Sequence, residues 1–394
     1  MQNLCGSLLS RWYNTKFNLT QYVYDIDKQL RQQDKIIHIL NETIPNDADI
    51  DQRIEKLKQI CSKIIWFSYR KNIPKFQVSS LTSDTGWGCM IRVAQMALAQ
   101  IIRYYHYFTK PEQLIVLIRH FIDDDDNELT DFIQQIQKNK IEYFHAPFSI
   151  QKIVHYAKVE LKKEPGDWYK SDEILQTLDY LFKYSQYSLN MEIYINYDCA
   201  FILQDAIQQM FNHQEGNELW LKERAKNNNQ FDLYDHKGIC IFLPTRIGLQ
   251  NINKDYLEVL NQIMALPYFQ GMIGGVSKRA LYFVGRIQDY LIYLDPHFVQ
   301  NAQNFDDLSI NQASYTCQNI QLIHNSLIDP SIVICLCIRN ALELLDLWQI
   351  FQHFKQEYQE LFFFSLLETN NEIEMLKSFQ QIIEVDNEFV SIAK

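Results

Sequence analysis

Thr82-Ser83-Asp84-Thr85-Gly86-Trp87-Gly88-Cys89-Met90-Ile91-Arg92 is where a polar turn becomes an apolar segment. Ser83, Asp84 and Thr85 are helix-capping types, and Gly86 and Gly88 permit a tight turn, so a helix is predicted to begin at Cys89. From Met90 through Ile91, Val93, Ala94, Met96, Ala97, Leu98, Ile101 and Ile102 the apolar residues cover nearly the whole circumference, the pattern of a helix enclosed by other elements. A thiol at a helix N-terminus feels the positive end of the dipole and free N–H groups, which favour the nucleophilic thiolate. The same N–H groups can donate to an oxyanion on an attacked carbonyl. The competing reading is one more buried core cysteine, and this stretch taken alone leaves both open.

A partner for that thiol is offered far along the chain by Leu291-Ile292-Tyr293-Leu294-Asp295-Pro296-His297. If the backbone stays extended through Asp295, positions i and i+2 point to one side and the carboxylate lies beside the imidazole. Pro296 supports this by disfavouring helical conformation at Asp295. A carboxylate there fixes the imidazole tautomer and leaves the other ring nitrogen free to take a thiol proton. A surface Asp-Pro-His turn is the bland alternative.

Around these two stretches the texture changes along the chain. Residues 1–60 form a polar lead-in, with helix-like patterns at Tyr22–Leu40 and Asp51–Ile60. Residues 61–350 form the main domain, in which 110–235 is a helix-rich, polar accessory layer. Ile239–Leu243, Ala280–Val284, Tyr290–Leu294 and Ser331–Ile338 are rich in Ile, Val, Tyr and Phe between Gly, Pro and Asp, and read as strands of a sheet in the C-terminal half. Ala341–Phe354 looks helical, and residues 351–394 carry the end of that helix and an acidic tail.

The 394 residues carry 37 Lys and Arg against 48 Asp and Glu, a formal charge of -11, so no long-range attraction for phosphate backbones is built in and nucleic acid is not an expected partner. Eight cysteines spread along the chain lack the density of a disulfide scaffold and fit a reducing compartment. The start lacks a secretory pattern, and the longest apolar run, Ile332–Ile338, falls far short of the roughly 20 residues of a membrane span. A cytoplasmic protein is expected.

The run TSDTGWGCMIR, together with FSYRKNIP (Phe67–Pro74), LPTRIGL (Leu243–Leu249), GMIGG (Gly271–Gly275), LIYLDPHFVQ (Leu291–Gln300) and DPSIV (Asp329–Val333), closely resembles the autophagins. These are papain-like cysteine peptidases of autophagy, and the matching motifs occur in family order from about Ile65 to Trp348. The resemblance implies an α+β fold, with a central helix carrying the nucleophile packed on a mainly antiparallel sheet. It implies Cys89 as nucleophile, His297 as base and later acid, Asp295 as the residue orienting the histidine, and Tyr69 as an oxyanion donor. It also implies cleavage after the C-terminal glycine of a ubiquitin-like autophagy modifier, both in its precursor and in its phosphatidylethanolamine conjugate. The enzyme would meet membranes only through that lipidated substrate. A monomer is expected, and no metal or organic cofactor is implied.

A cleaved glycine suggests a narrow channel that excludes bulkier residues sterically. Trp87 and Trp168 are the expected walls, and Gly88 and the loop residues Ser277, Lys278 and Arg279 are expected at the substrate. After the GDWY that holds Trp168, Lys170-Ser171 departs from the family pattern, and the loop Val276–Arg279 lacks the family's proline. In the tail, Phe389 and Ile392 behind acidic residues resemble the family's modifier-interacting motif, a segment able to add as a strand to a partner's sheet. Cys335 and Cys337 read as core, Asp123–Asp126 as a solvated loop, and Arg246 either as a substrate contact or as half of a structural ion pair. Two other functions remain at this point: a thiol acyltransferase using the same residues, and an inactive modifier-binding protein.

Overall fold

The computed structural model describes residues 31, 35–74, 76, 79–123, 146–211, 237–303, 312–317 and 320–369. Phe389, Ile392 and Asp124–Asp126 lie outside the described residues.

The sheet predicted for the C-terminal half is there and is larger than expected. Its strands are β1 (Ile37–Ile39), β2 (Glu42–Ile44), β4 (Met191–Ile195), β6 (Gly238–Arg246), β7 (Phe269–Val276), β8 (Arg279–Ile287), β9 (Tyr290–Leu294), β11 (Gln321–His324) and β12 (Ser331–Ile338). The order is β11-β9-β8-β7-β12-β6-β4, with the β1–β2 hairpin added on β8. Every neighbour pair is antiparallel except β4 and β6. Two short parallel pairs stand apart, β3 (Tyr69–Lys71) with β10 (Val299–Asn301), and β5 (Ala200–Ile202) with β13 (Ser365–Leu367).

Both faces of the sheet are covered, which explains why its strands read as unbroken apolar runs rather than alternating ones. In β12, Val333, Cys335 and Cys337 enter one core while Ile332, Ile334, Leu336 and Ile338 enter the other. That split is the period of two expected of a pleated strand. The first core is built around α2 (Cys89–Tyr105), sandwiched between the sheet and the helices α3 (Pro111–Arg119), α4 (Ile150–Glu160) and α5 (Ser171–Leu189). α3, α4 and α5, which fall within the stretch read as an accessory layer, thus help to enclose α2. The second core is closed by α6 (Leu203–Phe211), α7 (Leu257–Ile263) and α8 (Ala341–Tyr358).

One expectation is corrected, and two strands are added that the sequence reading did not name. The end of Tyr22–Leu40 is not helical, because Ile37–Ile39 pairs with β8 and so joins the sheet. The accessory region contributes the edge strand β4. Phe269–Val276 is a fully buried central strand although its three glycines lower its β-propensity. The other lead-in helix is present as α1 (Ile50–Ser62). No helix among the described residues is long and apolar enough to cross a membrane.

Candidate active site

The predicted start of α2 is right, but its capping is not what the residue types suggested. Gly88 is the N-cap and no side chain caps the helix. Asp84 instead accepts from the Arg70 backbone N–H and the Arg92 Nε, both at 2.6 Å, and its carbonyl receives the N–H groups of Trp87 (3.2 Å) and Gly88 (2.9 Å). Arg92, one turn into the helix, also binds Asp123 through two bonds of 2.9 and 3.1 Å. The charges of Asp84, Arg92 and Asp123 are all buried. Asp123 therefore belongs to the core and not to a solvated loop. The network pins the turn onto its own helix, and it packs so closely that a Cβ at Gly88 would lie 2.7 Å from that of Asp84. The result is a cysteine at a helix start whose first N–H groups are left to other partners.

β9 ends at Leu294, and Asp295-Pro296-His297 follow it outside any helix or strand. Asp295 Oδ1 accepts from the His297 backbone N–H at 3.0 Å and contacts His297 Nδ1 at 2.5 Å. The loop is held by the Trp66 Nε1–H on the Asp295 carbonyl (2.8 Å) and by the Tyr69 N–H on the Pro296 carbonyl (2.8 Å). One residue beyond His297 the chain enters β10, which pairs in parallel with β3, Val299 opposite Tyr69. That register sets the Tyr69 ring edge-on to the imidazole, centroids 5.3 Å apart and planes at 86°.

The two distant stretches meet. His297 and Tyr69 side chains and the Ala280 backbone N–H all hydrogen-bond Cys89. Burial by itself would raise the Cys89 thiol, but the hydrogen bond and charge of His297, followed by the Ala280 and Tyr69 donors, outweigh it and hold the thiol below its ordinary value. Burial likewise disfavours the imidazolium, yet the Asp295 charge and hydrogen bond, with Cys89, raise His297 to about 9. Asp295 is held low despite burial by His297 and then by Arg279. The thiols of Cys61, Cys240, Cys335 and Cys337 go the opposite way, pushed up chiefly by burial. Cys335 and Cys337 are core, as their spacing predicted. A thiolate–imidazolium pair is the chemistry this geometry favours.

A cleft of about 520 Å³ opens beside Cys89, lined by Trp87, Trp168, Gly274, Lys278 and Arg279 among others. Trp87 is a buried wall, its Nε1–H on the Ser83 carbonyl at 3.0 Å. Trp168 is 49% exposed and its indole donates to the Gly86 carbonyl at 2.6 Å, so it reaches over the turn before Cys89. Arg246 also lines the cleft and donates to Ser331 Oγ (2.9 Å) and the Leu249 carbonyl, neutral partners rather than an ion pair. Val276–Arg279 is no long loop: Val276 pairs with Arg279 around Ser277 (φ 42°) and Lys278 (φ 70°), a two-residue turn of type I′. Ser277 is exposed and absent from the cleft lining, while Arg279 binds Asp295 Oδ2 at 3.2 Å. Sequence reasoning missed that contact, the Ala280 N–H and the Asp84–Arg92–Asp123 network. The alternation of types carries no sign of the first two, which depend on hairpin register, whereas Arg92 in an otherwise apolar helix was a visible signal.

Residues 54–350 match the Peptidase C54 catalytic domain. Cysteine protease ATG4B of Xenopus laevis is 30% identical over 298 residues, covering 72% of this chain and 72% of the relative. Cysteine protease ATG4D of Xenopus laevis is 24% identical over 373 residues (86% of this chain, 76% of the relative). Cysteine protease ATG4C of Homo sapiens is 26% identical over 404 residues (86% and 84%). With the domain match spanning most of its length, the chain belongs to the Peptidase C54 family, the autophagins, and is a papain-like cysteine peptidase of autophagy.

Proposed function

We propose that the protein cleaves after the C-terminal glycine of a ubiquitin-like autophagy modifier, acting both on its precursor and on its conjugate with phosphatidylethanolamine. Cys89 is the nucleophile in this reading. The observation that carries it is the hydrogen-bonded Cys89–His297 pair, whose Cys89 lines a cleft that Trp87 and Trp168 also line. A tail without Cβ atoms fits between two indoles where a bulkier one is excluded.

The thiolate attacks the glycine carbonyl, and the tetrahedral oxyanion takes hydrogen bonds from the Tyr69 hydroxyl and from free N–H groups at the start of α2. His297, oriented by Asp295, gives its proton to the leaving amine, which is a peptide nitrogen in the precursor and the headgroup nitrogen in the conjugate. Water, deprotonated by His297, then resolves the thioester to free glycine carboxylate and restores the thiol pair. The enzyme works as a monomer in the cytoplasm, where thiols stay reduced, and touches membranes only through the lipidated modifier.

The test is to incubate purified protein with the precursor and, separately, with lipidated modifier on vesicles, and to weigh the products. Truncated modifier ending in a free glycine acid is expected in both, and its absence with Cys89→Ser. An amide product would point to acyl transfer onto an amine, and intact modifier would overturn the reading.

A further inference from the structure

We propose that Arg279 is a positioning residue that locks the Asp295 carboxylate, acting from the wall of the cleft itself. The proposal rests on the reading of Cys89, His297 and Asp295 as the reacting set. The two oxygens of Asp295 are divided. Oδ1 serves His297 through its backbone N–H and ring nitrogen, and Oδ2 takes the Arg279 guanidinium at 3.2 Å. Asp295 is buried, its side chain 7% exposed, and the Arg279 side chain is partly buried, 12% exposed. A carboxylate turns about a broad, two-fold terminal torsion, so a single histidine does not by itself decide which oxygen it meets. A cation fixed on one oxygen does, and with it the ring orientation of His297.

Arg279 is in turn placed by the hairpin. The type I′ turn at Ser277-Lys278 sets where Arg279 enters β8, and Gly275, paired with Ala280, leaves room for the Arg279 backbone, since a Cβ there would lie 2.3 Å from the Arg279 carbonyl. The next residue, Ala280, points its N–H at the Cys89 sulfur. Consecutive residues at the start of β8 thus hold the acid by a side chain and the nucleophile by the backbone, so the strand end keeps the two in register. Arg279 also lines the cleft, next to where substrate lies.

The charged and titratable groups around His297 are Asp295 on its own segment, Cys89 from α2, Tyr69 from β3, Arg279 from β8 and Tyr293 from β9. Arg279 offsets part of the Asp295 charge. Removing it strengthens the field of the carboxylate on both His297 and Cys89, so both titrations move to higher pH.

The experiment compares full-length wild type with Arg279→Met, which keeps the aliphatic bulk, and Arg279→Lys, which keeps the charge. It reads kcat and KM on a glycine-tailed modifier, the pH profile of kcat/KM, and the pH profile of Cys89 alkylation by iodoacetamide. Arg279→Met is expected to lower kcat about tenfold, within the roughly 10²-fold that a 1 Å misplacement costs. KM should stay within about twofold, both profiles should move to higher pH, and Arg279→Lys should restore most of each. A raised KM with unchanged kcat and unshifted profiles would make Arg279 a substrate contact only. Lowered kcat with unshifted profiles and no rescue by lysine would make it merely structural. Either result overturns the proposal. If wild type leaves the modifier uncut, the proposed function fails, while the alkylation profile still decides for or against Arg279.

Discussion

Val299 and Tyr69 face each other in a parallel two-stranded ladder, and that one pairing sets the Tyr69 ring edge-on to His297, 5.3 Å away. A strand that begins just after the candidate base and a strand that ends in a buried arginine and a lysine are thereby tied together across more than two hundred residues of chain. The Tyr69 hydroxyl is left bonded to Cys89. Replacing it by Tyr69→Phe keeps the ring packing and removes one donor. The expected loss in kcat is about 10²- to 10³-fold, with KM little changed, the size of an oxyanion-donor deletion. Steady-state kinetics on a glycine-tailed modifier check it, and a change confined to KM would remove Tyr69 from the reaction.

The ionisations set the pH range of activity. Thiolate and imidazolium coexist above the lowered Cys89 titration and below that of His297, which is raised to about 9. The profile of kcat/KM reports the free enzyme, so it should be bell-shaped with its alkaline limb near pH 9 and its acid limb below the ordinary thiol range. Asp295→Asn removes the charge that raises His297, and should bring the alkaline limb down.

Trp168 reaches over the turn before Cys89 from a different part of the chain, held through Gly86. Trp168→Ala should widen the cleft and relax discrimination between glycine- and alanine-tailed modifiers. One extra methyl group is rejected by about 10- to 200-fold in a fitted pocket, and most of that ratio should disappear. The ratio of kcat/KM for the two tails is the measurement.

Arg92 carries a buried charge shared by Asp84 and Asp123. Arg92→Met leaves two carboxylates buried without their cation, so a loss of about 3–5 kcal/mol of stability is expected. Urea unfolding followed by fluorescence reads it directly. A loss under about 1 kcal/mol would mean that water or neighbouring donors replace the guanidinium.

Most of the site is legible because its residues lie where local rules are strong. Cys89 stands at a switch from polar turn to apolar helix, and Pro296 turns Asp295 away from helical conformation, so each half can be read from its own neighbours. What stays hidden depends on long-range register. Phe269–Val276 does not read as a central strand because the glycines that let it pack against Tyr282 and Phe283 also lower its propensity. Asp123 looks solvated because it heads a run of like charges, and only the fold brings Arg92 to it. Arg279 is placed at substrate by its loop, whereas the tightness of the turn aims it at Asp295.

The sulfur–imidazole pair is tested most directly by the rate of Cys89 alkylation against pH, read by mass spectrometry on intact protein, in wild type and in His297→Ala. Wild type should react with a half-maximal pH well below the roughly 8.5 of a free thiol, and the variant should titrate at or above it. Equal profiles for the two proteins, with wild-type Cys89 as sluggish as a buried thiol such as Cys335, would contradict the pair and the nucleophile with it.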